Sequence, residues 1–112
     1  MLENEIQQMI VDWIRYVAPQ CMVIAIPNAA RRTFSGRAAN GVPGLTPGAP
    51  DLLVIRPKGE VLWLEVKTQK GTVSDWQMKF HQNLQSRNHI CAIVRSLDDV
   101  KDRKSTRLNS SH

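Results

Sequence analysis

GAPDLLVIRPKGEVLWLEVKTQKG, residues 48–71, reads as two β-strands folded back on each other. The runs LLVI (52–55) and VLWL (61–64) are apolar enough to be buried. Yet the first strand opens on Asp51, and the second closes on Glu65 and Lys67. Charged groups at the ends of buried strands are costly to desolvate, so they call for partners or for a purpose. Pro57-Lys58-Gly59 suits a three-residue hairpin loop, in which proline sets the first turn position and glycine takes the left-handed one that forms the bulge. That loop sets Arg56 opposite Glu60. Counting back along an antiparallel ladder, 55 faces 61, 53 faces 63 and Asp51 faces Glu65. With a side-chain period of two, Asp51, Glu65 and Lys67 project from one face. Two facing carboxylates repel by up to about 1 kcal/mol even when solvated, and a divalent cation between them removes that penalty. Oxygen donors of this kind suit Mg²⁺ or Mn²⁺, with Lys67 placed to orient a water or offset charge on a phosphate. The plain alternative is a surface hairpin edge on which Lys67 merely neutralises Glu65.

Working outward, residues 2–17 set Leu2, Ile6, Met9, Ile10, Trp13, Ile14 and Val17 on one helical stripe, which Pro19 ends. CMVIAI (21–26) is a short β-branched strand. Between Pro27 and Pro50 the chain is irregular, with four glycines and three arginines, and so long a loop in a small domain is commonly functional. Strands are expected at about 51–56 and 60–67, a helix from Ser74 to about Arg87, and a strand at 90–94. Ser74 and Gln77 match a capping box, and Trp76, Phe80, Leu84 and Arg87 share a helix face. Ser96 followed by LDDVK opens a last helix. The order α-β-β-β-α-β and a truncated α predicts an α/β domain, with a mixed sheet flanked by helices on both sides.

A chain of 112 residues with 42% hydrophobic and 22% charged residues has room for one domain with one core. No apolar run approaches the roughly 20 residues that span a bilayer. The acidic first helix (Glu3, Glu5, Asp12) suits neither a secretory nor a transit segment, so a cytoplasmic location, in a bacterial or phage-infected cell, is expected. Cys21 and Cys91 sit inside apolar runs and read as buried free thiols rather than a disulfide. Neither lies at a metal-ligand spacing from a histidine, and His81 and His89 read as helix-face and turn residues. The last eleven residues, DRKSTRLNSSH, resemble a translated sequencing-library adapter, so residues 102–112 are expected to be a non-native tail behind a domain of residues 1–101. That tail carries +2 of the net +5, and the remaining mildly basic body permits nucleic acid without demanding it.

Pro50-Asp51 followed by Glu65-Val66-Lys67 resembles the PD…ExK signature of the PD-(D/E)xK nucleases, which share a restriction-endonuclease-like core. The strings ENEIQ, IPNA, TPGAPDLLV, WLEVKTQKG and SDWQ together resemble the VRR-NUC branch of that superfamily, over nearly all of residues 3–97 and in the stand-alone phage or bacterial form. The resemblance implies a Mg²⁺- or Mn²⁺-dependent DNA endonuclease leaving a 5′-phosphate and a 3′-hydroxyl. It implies metal binding by Asp51, Glu65, the Val66 carbonyl and an acid of the first helix, with Lys67 and Gln77 completing the catalytic set. Glu3 and Glu5 compete for the helix acid, and Glu3 lies nearer the sheet-facing stripe. Arg31, Arg32, Arg37, Lys70 and Asn28 are candidates for DNA contact, as are Lys58 and Lys79. Small members of the family look like homodimers that cleave branched DNA such as four-way junctions. The other readings are a DNA-binding module that does not cut and a nuclease subunit of a replication, repair or defence complex.

Overall fold

The computed structural model describes residues 1–27 and 43–102. Its elements run α1 (Glu3–Val17), β1 (Met22–Ala25), β2 (Leu52–Ile55), β3 (Val61–Val66), α2 (Asp75–Ser86), β4 (Ile90–Val94) and α3 (Leu97–Asp102). The sheet order is β1-β2-β3-β4; the first three strands are antiparallel and β4 lies parallel to β3. A parallel neighbour needs a crossover, which α2 supplies.

The central hairpin forms in the expected register, with Ile55 opposite Val61 and Leu53 opposite Trp63. Its loop closes as the turn chemistry requires. The Gly59 N–H donates to the Arg56 carbonyl and the Arg56 N–H to the Glu60 carbonyl, both at 2.8 Å. Gly59 sits at φ 94°, a conformation that costs glycine nothing.

Strand alternation then divides the sheet into two faces. Leu52, Val54, Leu62, Leu64, Val66, Ala92 and Val94 point to one side, where they bury against Ile6, Ile10 and Ile14 of α1 and Val100 of α3. Each Leu, Ile or Val side chain among them contributes about 1.5–3 kcal/mol on full burial. The buried line of α1 is narrower than the sequence stripe: Leu2 and Met9 are exposed, while Trp13 and Val17 pack at its margin.

The opposite face lies under α2. Trp63 meets Phe80 with ring centroids 6.2 Å apart, and its Nε1–H donates to His89 Nδ1 at 2.7 Å. Here the expected helix face is corrected. Trp76 is 63% exposed and Arg87 is exposed, while His81 and Leu84 are the buried residues of α2. The sheet beneath this helix carries Glu65, whose carboxylate is met by the Gln77 amide and the His81 ring. Both cysteines are free thiols, Cys21 buried and Cys91 partly so. Burial and the nearby Glu65 push the Cys91 thiol up to about 12. Among the described residues, no helix is long and apolar enough to cross a membrane.

Candidate active site

Antiparallel pairing of β2 and β3 brings the start of one strand beside the end of the other. Asp51, immediately before β2, therefore sits one ladder step beyond the Leu52–Leu64 pair, at the level of Glu65. The three charged residues at the open end of the hairpin are buried, Asp51 and Lys67 at 8% exposure and Glu65 at 1%. The Val66 N–H donates to Asp51 Oδ2 at 2.7 Å, tying the first strand's acid to the second strand's backbone. Asp51 and Glu65 also share a side-chain hydrogen bond. Burial first, and then the charge of Glu65, pushes the Asp51 carboxyl up to about 7, against the opposing pull of the Val66 N–H and the Lys67 ammonium. Two carboxyls crowded into a dry site share a proton when no other cation separates them. Lys67 lies on the same end of β3, with Gly71 against its aliphatic stem.

Helix α2 holds Glu65 from above. Ser74 caps the helix, its Oγ accepting the Gln77 N–H at 3.2 Å while Gln77 Oε1 accepts the Ser74 N–H at 2.9 Å. The rest of the same amide reaches the site, Gln77 Nε2 donating to Glu65 Oε2 at 3.1 Å. Cap partner and site residue are thus one side chain doing both. His81, one turn on, lies 3.2 Å from Glu65 Oε1 through Nε2 and is 5% exposed. The sequence reading passed over it as a helix-face residue. Its spacing of four from Gln77, which sets both on one side of a helix, was the signal that could have found it.

The first helix begins at this same end of the sheet. Met1, Ile6 and Met9 border a cavity of about 610 Å³ together with Thr68, Gln69 and Lys70 from beyond β3 and Arg95 to Asp98 from beyond β4. Neither Asp51 nor Glu65 lines this cavity. Glu3 is half-buried in the first turn of α1, whereas Glu5 is exposed and accepts the Leu2 N–H at 2.7 Å, which commits it to the helix cap. Lys70 is exposed in the turn after Lys67. That turn is held by Arg95, a residue the sequence reading did not single out, which donates to the carbonyls of Thr68 at 2.8 Å and Gly71 at 2.6 Å. Asn28, Arg31, Arg32 and Arg37 lie outside the described residues, as do residues 103–112 of the tail. Among the described residues, no three or more His, Cys, Asp or Glu side chains gather as a metal cluster. The donors present are a carboxylate pair with the adjoining Val66 backbone, a set that suits a hard cation retaining several waters.

Comparison with known proteins agrees with this fold. A solved structure of a VRR-NUC domain superposes with a TM-score of 0.63 at 24% identity, over 88% of this chain and 89% of that one, a likeness of fold. No curated protein matches. The model of the VRR-NUC domain family matches residues 2–98, from the first helix through the strands that carry Asp51, Glu65 and Lys67 to the start of α3. With that match spanning most of the sequence and the fold agreeing independently, the chain belongs to the VRR-NUC family and is a nuclease-type domain.

Proposed function

We propose that this domain is a Mg²⁺- or Mn²⁺-dependent DNA endonuclease that hydrolyses phosphodiester bonds in branched or structured DNA, such as four-way junctions, and works as a homodimer. The observation that carries the reading is the buried Asp51–Glu65 pair with Lys67 beside it. A stabilising ion pair would balance one acid with one base. Here two acids crowd together and one holds a proton up to about pH 7, a poor arrangement for stability and a suitable one for a divalent cation.

Asp51, Glu65 and the Val66 carbonyl would hold the ion, and the family resemblance adds Glu3 of the first helix. When bound, it would polarise the phosphate and stabilise developing charge there. Lys67 orients the attacking water and offsets negative charge on the phosphate. Gln77 keeps Glu65 in place. Lys70, with Arg31, Arg32, Arg37 and Asn28, contacts the DNA backbone, which positions the substrate without reading its sequence. The products carry a 5′-phosphate and a 3′-hydroxyl. A two-fold dimer presents two sites of opposed polarity, which suits cutting two strands of a junction.

Incubation with Mg²⁺ or Mn²⁺ on single-stranded, duplex, flap and four-way DNA tests the reading. Cleavage is expected on the branched substrates and not in EDTA. Binding without cleavage of any substrate would leave a non-catalytic DNA-binding module instead.

A further inference from the structure

We propose that His81 is a positioning residue for Glu65, holding one carboxylate oxygen while Gln77 holds the other, so that α2 sets the orientation in which Glu65 meets a divalent cation. The proposal rests on the metal-dependent reading above and adds to it a side chain that the PD…ExK pattern does not contain. Glu65 ends a buried strand at 1% exposure, and His81 is 5% exposed, so water supplies little to either. A carboxylate that holds a cation only accepts hydrogen bonds, so in that state the 3.2 Å contact with Oε1 would be donated from His81 Nε2. Gln77 Nε2 donates to the other oxygen at 3.1 Å, and its own amide is locked by the Ser74 N–H at 2.9 Å.

The two donors stand four residues apart on one helix, so they grip both oxygens from the same side. Each carboxylate oxygen has two lone-pair sites. The helix occupies one on each and leaves the remainder for Asp51 and for a metal. Without these bonds the three rotatable bonds of Glu65 would be restrained only by packing and the contact with Asp51. A buried helix position facing a sheet ordinarily takes an aliphatic residue, as Leu84 does one turn further. An imidazole there is costly unless its N–H is used. Groups that hydrogen-bond to metal ligands commonly govern metal affinity by fixing ligand orientation.

The test compares His81→Gln, which keeps a terminal N–H donor at similar reach, with His81→Met, which has similar length and no donor. Calorimetric Mn²⁺ titration of the full chain should show binding weakened by about 10–100-fold in the Met variant and within roughly threefold of wild type in the Gln variant. In cleavage assays, the Mn²⁺ concentration for half-maximal rate should rise with the same pattern, while kcat at saturating Mn²⁺ stays within a few-fold. Should the Met variant not fold, long-range ¹H–¹⁵N spectra of the wild-type imidazole carry the test and should show the proton on Nε2. An Nε2 without a proton, equal Mn²⁺ affinity in all three chains, or a loss of kcat without a change in metal affinity would each overturn the assignment. A wild-type chain that binds no Mn²⁺ would bring down the metal-dependent reading and this proposal with it. Wild-type binding that is insensitive to His81 would bring down only this one.

Discussion

Asp51 is the residue at which stability and proposed chemistry pull apart. In the folded chain without metal its carboxyl keeps a proton up to about pH 7, against an ordinary value of 3.8. Between those values the folded state binds more protons than the unfolded state, so stability falls as pH rises from about 4 to about 7 and is level above. Melting temperatures in EDTA should therefore decline from pH 5 to pH 8. Asp51→Asn should lack most of that decline and melt higher than wild type at pH 8. Mn²⁺ should raise the wild-type melting temperature at pH 8 and leave Asp51→Asn and Glu65→Gln nearly unmoved. An Asn variant with the full pH slope would show that another group titrates. Lys67 is buried rather than standing free at a strand end, so its removal is best made as Lys67→Met, which keeps the stem. Cleavage should be abolished, with DNA affinity within a few-fold of wild type. Robust turnover with Mg²⁺ would remove Lys67 from the reaction.

At the scale of elements, the site depends on how α2 is seated. Its first turn is pinned by the Ser74 cap and by the loop before β2. Ser74→Ala removes the oxygen that accepts the Gln77 N–H, for a cost of about 1 kcal/mol, readable as a lowered chemical denaturation midpoint. Gly48 has φ 88°, and a Cβ there would lie 2.4 Å from the Trp76 carbonyl oxygen. Backbone thus meets backbone where the loop leading to Asp51 crosses the helix that holds Glu65. Gly48→Ala meets both a disfavoured conformation and a steric clash, so it should destabilise by more than about 1 kcal/mol and weaken Mn²⁺ binding by shifting Asp51 away from Glu65. Unchanged stability and affinity in this variant would mean that the loop is not tightly seated on α2.

For the whole molecule, the two faces of the sheet divide the work. One face, under α1 and α3, is aliphatic and supplies the core. The other, under α2, carries the hydrogen-bonded charge. Under the proposed function, two such domains act together on a junction. Sedimentation should then find a dimer, both free and bound to four-way DNA, and both strands should be cut within one binding event. A monomer that makes paired cuts would overturn the two-site arrangement.

The sequence by itself determined what depends on near neighbours. The hairpin register follows from the Pro57-Lys58-Gly59 loop and a period of two, which by themselves set Asp51 and Glu65 as a pair. The Ser74–Gln77 box spans three residues and forms as written. The order of strands and helices was likewise set by local pattern. What the tertiary structure decided are the contacts made across long separations. Glu65 and His81 are 16 residues apart, and Arg95 reaches back 27 residues to Thr68. A helix's pattern names its faces, but its rotation over the sheet follows from what the sheet presents. Here the buried carboxylate of Glu65 drew Gln77 and His81 inward and left Trp76 outside. The raised Asp51 carboxyl is of the same kind, since it arises from burial and an adjoining charge that exist only once the strands and α2 close around it.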